Sequence, residues 1–225
     1  MGRFFGPPSR RGCVGSGLAE AGAAVSLTGM TEELSLPPNA ALIVIDLQHA
    51  IDDPRRAVEG PRNNQQAEAV VASLLAAWRG TGRPIIHVRH DSTEPDSSYR
   101  PGQSGNDFKP EVAPLPGESI LSKQTNSAFI GTGLEAQLRA DGIATLVVTG
   151  VQTNNSVEAT VRMAGNLGFR TYLVADGCFT FARRDYDGVW HSAATVHALS
   201  LANLDREYCT VVNSAAVLAA IGRAG

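Results

Sequence analysis

Ala40-Ala41-Leu42-Ile43-Val44-Ile45, closed by Asp46, is a continuous apolar run with many β-branched residues. It is too short for a core helix and lacks the alternation of a half-exposed strand, which predicts a central strand covered on both faces. Such strands belong to parallel sheets, and the flanking sequence keeps the matching rhythm. On the C-terminal side, Asn64 to Trp78 spaces Ala67, Val70, Val71, Leu74, Leu75 and Trp78 along one helical face, with Gly80 and Gly82 to end it. Pro84 to Val88 predicts a second strand, Ile120-Leu121 a short third, and Thr145 to Gly150 another central one. Leu134 to Asp141 and Val157 to Leu167 predict helices on either side of that strand, the second capped by Asn154 or Asn155 and terminated by Gly168. Arg170 to Ala175, ending in Asp176, reads as a strand, and Ser192 or Ala193 to Leu204 as a helix. Tyr208 to Val212 reads as the last strand, and Ala215 to Ile221, capped by Ser214, as the last helix. Strands alternating with amphipathic helices specify an α/β fold.

The 225 residues suit one α/β domain with an extension better than two domains. Residues 30–225 are assigned to the domain and 1–29 to a disordered or mistakenly included N-terminal extension, since that stretch holds seven glycines and no periodicity. Arg10-Arg11 invites an export signal, but the Gly-Cys-Val-Gly-Ser-Gly that follows lacks the apolar segment such a signal needs. No apolar run is long enough to span a bilayer, so no membrane contact is expected, and cysteine usage makes a cytoplasmic location the expectation. With 43% hydrophobic and 18% charged residues, the chain is globular rather than disordered. A net charge of −3 supplies no field to collect phosphates, which argues against nucleic acid as a partner and for a small molecule. Cys13, Cys178 and Cys209 are odd in number and widely spaced, fitting neither a disulfide framework nor a zinc site.

In open parallel sheets, ligands bind beyond the carboxyl ends of the strands. Those ends hold Asp46 with Gln48, Arg89-His90-Asp91, Lys123, Gly150 to Ser156, and Asp176 with Cys178. Asp46 and Lys123 carry opposite charges that neighbouring strands could aim into one crevice, each favouring the other's ionised form; a purely structural ion pair is the competing reading. Ser156 begins a helix one turn after Gly150-Val151-Gln152-Thr153, where backbone N–H groups and a partial positive charge supply what an oxyanion needs.

Three stretches carry more than this. Val44-Ile45-Asp46-Leu47-Gln48 ends a strand in Asp-x-Gln, Lys123-Gln124-Thr125-Asn126-Ser127-Ala128-Phe129 reads Lys-(x)3-Ser-Ala-Phe, and Val148 to Thr160 contains Gly-Val-x-Thr-x-x-Ser-Val. In this order they resemble the signatures of the isochorismatase-like cysteine hydrolases, over about Ala40 to Ala220. Arg100 to Glu111 and Asn166-Leu167-Gly168-Phe169 are most similar to the streptothricin-hydrolase-like branch. The resemblance implies a three-layer fold with a mostly parallel six-stranded sheet and helices on both faces. It implies hydrolysis of a small carbonyl compound, at the C–N bond of an amide, lactam or carbamoyl group, by a homo-oligomer, a dimer or tetramer. It further implies Asp46 as general base and acid, Lys123 as stabilising cation and position 156 as nucleophile. A cis Val151-Gln152 peptide would accompany an oxyanion hole made by the backbone N–H groups of Gln152 and Ser156.

Position 156 is serine where most of the family has cysteine. A serine hydroxyl needs a base to take its proton during attack, so thiolate chemistry there is excluded. Four readings stay open: Ser156 as nucleophile with Asp46 as base; Ser156 positioning water or substrate while Asp46 transfers a proton, as in vinyl-ether hydrolysis; Cys178 supplying a sulfur from the same rim; or a catalytically impaired binding or assembly module. Gln48 has an amide to orient Asp46 or a substrate carbonyl, and His90, Phe129, Cys178 and Phe179 are pocket candidates, as are Tyr99, Phe181 and Trp190. Nicotinamidase relatives hold a divalent ion with an Asp-x-His and a later His after the second strand. Arg89-His90-Asp91-Ser92-Thr93 lacks the histidine partner, so no metal and no cofactor are expected. Ser92 to Gly117 and Arg183 to His191 are expected to overhang the site. The latter reads as a hairpin turning at Asp185-Tyr186-Asp187-Gly188, with Trp190 at a subunit interface.

Overall fold

All five residues of strand β1 (Ala41–Ile45) are buried, and the alternation of their side chains divides the core in two. Leu42 and Val44 pack with Leu74, Trp78 and Val217, whereas Ala41, Ile43 and Ile45 pack with Leu138, Val161 and Leu204. The structure, a computed structural model, describes residues 34–223, so the expected extension 1–29 with Cys13, and the start at Met30, lie outside the described residues. Beside β1 lie β2 (Ile85–His90), β3 (Ser119–Lys123), β4 (Thr145–Val151), β5 (Arg170–Phe179) and, after the hairpin of β6 (Arg183–Arg184) and β7 (Trp190–His191), β8 (Thr210–Val212). The six-stranded sheet runs in the order β3-β2-β1-β4-β5-β8 with every pairing parallel. Helices α1 (Ala67–Gly80) and α5 (Ser214–Gly222) cover one face. Helices α2 (Leu134–Ala140), α3 (Glu158–Asn166) and α4 (Ala193–Leu204) cover the other. Trp78 is fully buried yet leaves no polar atom unpaired, because its indole N–H donates to Ala40 O at 3.0 Å. This is the α/β fold anticipated from the alternation, with the three layers and six strands that the resemblance implied, and Arg183↔His191 pairing confirms the hairpin.

Three local expectations fail for identifiable reasons. Strand β5 does not stop at Ala175: a register shift between Val148 and Gly150 lets it run on to Phe179. Thr149 Oγ1 donates to Gly177 O at 2.6 Å and ties the continuation to β4. Only glycine fits at 177, where a Cβ would stand 2.4 Å from that hydroxyl oxygen. Asp176 is therefore no strand end; it accepts from Ser214 N at 2.8 Å and from Ser214 Oγ. The cap of α5 is Asn213, which accepts from Ala216 N at 2.8 Å, and Ser214 is already helical. Nor do Asn154 and Asn155 cap the helix after β4. Thr153–Val157 forms a wide π-helical turn ahead of α3, and Asn154 Oδ1 is occupied by the Thr180 hydroxyl at 2.5 Å. Among the described residues no helix is long and apolar enough to cross a membrane.

Candidate active site

The chain runs outward from β1 toward one sheet edge and from β4 toward the other, so the crevice beyond the ends of these two strands is the topological switch point. Asp46 is the first residue past β1 and sits at φ +53°, the left-handed region that a non-glycine residue adopts only where its surroundings hold it. They do: Asp46 N donates to Val88 O at 3.0 Å, and Asp46 O accepts from Gln48 N at 2.8 Å and from the Tyr99 hydroxyl at 3.3 Å. Opposite, Gly150 has φ +122°, and a Cβ there would lie 2.2 Å from Ile45 O. Glycine is thus what lets β4 come close to β1 just where the site begins. The Val151-Gln152 peptide is cis, and the π-helical turn that follows carries Ser156, which is 6% exposed.

Lys123 ends β3, two strands from Asp46, and its long stem carries the ammonium under the crevice. Its Nζ donates to Asp46 Oδ2 at 2.7 Å, to Thr125 O at 3.1 Å and to Ser156 Oγ at 3.3 Å, with His90 Nδ1 at 3.4 Å as a longer fourth neighbour. Lys123 is 2% and Asp46 4% exposed, so the pair is held out of water. Burial pushes the Asp46 carboxyl up from its ordinary value, and the Lys123 charge and the Ser156 hydroxyl offset only part of that. Among the described residues Asp46 Oδ1, which is buried, has no hydrogen-bond partner, an atom left available to a proton. His90 is pushed down by burial against the pull of Asp46, which favours the neutral imidazole.

These groups open into a cavity of about 100 Å³. Asp46, His90 and Ser156 line it with Val151, Gln152 and Asn155 from the β4 turn, Asn126 from the segment after β3, and Arg56, Ser97 and Tyr99. Behind the turn, Thr153 Oγ1 lies 2.8 Å from His197 Nδ1, and the Ser200 hydroxyl lies 3.1 Å from Thr153 O and 2.6 Å from Glu158 Oε2. Helix α4 thereby braces the segment bearing Ser156.

The structure brings Asp46, Lys123 and Ser156 together and lines the cavity with His90 and Gln152. It moves six expected residues elsewhere, among them Phe181, edge-on to Phe179, and Trp190, whose indole N–H donates to Glu59 O at 2.7 Å. Gln48 touches neither the Asp46 carboxylate nor the cavity: its Oε1 accepts from His90 N at 2.8 Å, and its Nε2 donates to Asn106 O at 2.8 Å and to His90 O at 3.1 Å, fixing the end of β2. Cys178 is not on the rim, because the prolonged β5 carries it opposite Gly150 into the core, fully buried, with its thiol pushed up to about 12. Phe179 lies in the other half of the core under the Arg62 guanidinium, 4.0 Å from its ring centroid. Phe129 stacks on Phe169 at 5.8 Å. The segment Ser92 to Gly117 does overhang the site through Ser97 and Tyr99, whereas Arg183 and Arg184 line a separate groove. Arg56, Ser97, Asn126 and Asn155 went unnoticed as cavity residues. Nothing in the sequence separates Arg56 from its neighbour Arg55. Among the described residues, no group of three or more His, Cys, Asp or Glu is placed to hold a metal ion.

Both the sequence and the fold have counterparts among known proteins. The isochorismatase domain matches residues 40–211, and the chain belongs to this family of hydrolases. A solved isochorismatase-family hydrolase from Chromobacterium violaceum is 60% identical, with a TM-score of 0.83 over 86% of this chain and 100% of that one. Streptothricin hydrolase of Streptomyces noursei is 33% identical over 144 residues, 63% of this chain and 50% of that protein. Maleamate amidohydrolase of Pseudomonas putida is 30% identical over 186 residues, 76% of this chain and 82% of that protein.

Proposed function

We propose that the cavity hydrolyses a C–N bond, in an amide, lactam or carbamoyl group, of a small carbonyl compound, with Ser156 as nucleophile, Asp46 as base and then acid, and Lys123 as stabilising cation. One observation carries this reading: Asp46 Oδ2 and Ser156 Oγ both meet the Lys123 ammonium, at 2.7 and 3.3 Å, in a buried polar cavity. Lys123 donates to Ser156 Oγ, so the hydroxyl proton is left for the carboxylate, whose Oδ1 has no other partner. As Oγ attacks the carbonyl carbon, its proton passes to Asp46, and the backbone N–H groups of Gln152 and Ser156 receive the charge that gathers on the carbonyl oxygen. Collapse of the tetrahedral species breaks the C–N bond while Asp46 returns the proton to the leaving nitrogen. Water, deprotonated by the same carboxylate, then cleaves the acyl ester and restores Ser156. A carboxyl raised by burial is a stronger base for the first transfer than an ordinary one. The names of two relatives, an amidohydrolase and a streptothricin hydrolase, support the bond type.

The test is turnover of a panel of small amides, lactams and carbamoyl compounds by the wild type, Ser156→Ala, Ser156→Cys and Asp46→Asn. Ser156→Ala and Asp46→Asn are expected to lower kcat at least about a thousandfold. Ser156→Cys is expected to retain turnover and to become sensitive to alkylation. Turnover unchanged in Ser156→Ala would sink the nucleophile assignment. The raised Asp46 carboxyl favours a second reading, in which Asp46 donates its proton to a vinyl ether and Ser156 orients the water. That reading keeps most activity in Ser156→Ala and loses it in Asp46→Asn.

A further inference from the structure

Arg56 lines the cavity, yet among the described residues it makes no ion pair. The carboxylates near it in sequence are engaged elsewhere: Asp53 with Arg55 at 2.6 Å and Asp52 with Lys109 at 2.8 Å. Its guanidinium is nonetheless held from two sides. Nε donates to Ala50 O at 3.0 Å, and Cζ lies 4.8 Å from the centroid of the Tyr99 ring. Among the described residues the Nη pair has no hydrogen-bond partner, and the end of a planar guanidinium with both Nη groups free is a geometry that takes a carboxylate with two parallel hydrogen bonds.

The charge balance of the cavity points the same way. Asp46 and Lys123 neutralise each other across 2.7 Å, and burial favours neutral His90, which leaves Arg56 as an uncompensated positive charge. A neutral or cationic compound would cover that charge without pairing it, which costs desolvation. The volume, about 100 Å³, limits the compound to a short one as well.

We infer that Arg56 anchors a carboxylate of the substrate, so that the compound hydrolysed is a short amide carrying a carboxylate at the end away from the scissile bond. This assignment of substrate class rests on the amide reading above. Arg56 lies outside all three sequence motifs, and its part is to select and hold rather than to move a proton.

Two measurements separate the anchor from the chemistry. In the first, hydrolysis of succinamate is compared with that of succinamide, its neutral diamide, in the wild type, Arg56→Ala and Arg56→Lys. The wild type is expected to favour succinamate in kcat/KM, and Arg56→Ala to lose about 30-fold on succinamate, mainly through KM, with little change on succinamide. Arg56→Lys, which keeps the charge without the fork, is expected to recover part of the loss. In the second, calorimetric titration with levulinate, which replaces the amide nitrogen of succinamate by a methyl group, reads the anchor without hydrolysis, against neutral hexane-2,5-dione as control. Levulinate is expected to bind the wild type and Ser156→Ala alike and Arg56→Ala far more weakly. Binding that depends on Arg56 with no turnover of any amide would leave the anchor standing and overturn the hydrolytic reading. Equal turnover of succinamate and succinamide, unaffected in Arg56→Ala, or levulinate binding that is absent or indifferent to Arg56, would overturn the anchor and leave the hydrolytic reading intact.

Discussion

The groove between the β6–β7 hairpin and α4 encloses about 790 Å³, against about 100 Å³ for the cavity at the switch point. Both are lined by charged groups, but the charges live under different conditions. In the groove, Asp185 meets His191 at 2.6 Å and Arg184 reaches Glu59 at 3.2 Å, with all four side chains about a third exposed or more. Water screens such pairs, and they are worth little in energy or reactivity. In the cavity, Asp46 and Lys123 meet almost without water, where an unpartnered carboxylate oxygen and a hydroxyl on the same ammonium have few alternatives to each other. Volume therefore marks where something can lie, and desolvated charge marks where a bond can be broken.

The comparison is most exposed at the buried pair. Lys123→Met leaves the Asp46 carboxyl without its cation and is expected to destabilise the fold by about 3 kcal/mol and abolish turnover. Combined with Asp46→Asn, it is expected to cost clearly less stability than the two single losses added together. Additive losses in denaturant melts would mean that the two groups do not depend on each other.

A smaller effect lies in the pH profile. Asp46 has a raised carboxyl, so the base form appears only above that raised value. The acid limb of kcat/KM is expected to fall at a pH above the ordinary carboxylate range of about 4. Stability responds with mixed signs. Burial lowers His87 and His197, whose contribution is complete above their ordinary value of 6.5 and is lost as pH falls toward their folded values. Glu68 and Glu118, held at about 2 against an ordinary 4.5, lose theirs in that lower window. Asp46 acts oppositely, favouring the fold below its ordinary 3.8 and less so as pH rises through its raised value. A thermal midpoint that drops in two stages on acidification is the expected record.

Thiol chemistry should be silent at both described cysteines. Cys178 and Cys209 are buried with their thiols at about 12, so iodoacetamide should label neither residue before unfolding and should leave turnover unchanged. Peptide mapping that finds native Cys178 alkylated, with activity lost, would return the sulfur to the mechanism. The smallest effect belongs to the groove: Tyr186 is fully exposed on its hairpin, and Tyr186→Ala should change stability by no more than about 0.5 kcal/mol and kcat/KM not at all. A large loss of turnover would shift the chemistry to the larger hollow.

The sheet was legible because Ala40 to Ile45 is apolar without interruption and Thr145 to Gly150 adds only two threonines to a short β-branched run, patterns that burial on both faces explains. Asp46, Lys123 and Ser156 were legible because strand ends in such a sheet converge and because the three stretches that hold them resemble the family's signatures. What stayed hidden depends on contacts remote in sequence. Asp176-Gly177 looks like a strand end, and only the Thr149 hydroxyl, 28 residues away, shows that the strand continues and takes Cys178 and Phe179 into the core. Gln48 reads as a side chain for the site until Asn106, 58 residues on, is seen to occupy it. Arg55 and Arg56 are adjacent and chemically identical, and only the fold assigns one to Asp53 and the other to the cavity.

The wide turn Thr153–Val157 also sets a phase. A π-helical turn accommodates one more residue than an α-helical turn, so it works as an inserted residue that resets the angular position of everything after it. With this offset Ser156 faces the cavity while Val157 and Val161 still face the core. Deleting Asn154 would remove the offset and swing the following side chains by roughly 100° about the helix axis. The chain would then have to choose between a packed core and a serine on the Lys123 ammonium, which makes the length of this turn as binding a specification as the identity of any residue within it.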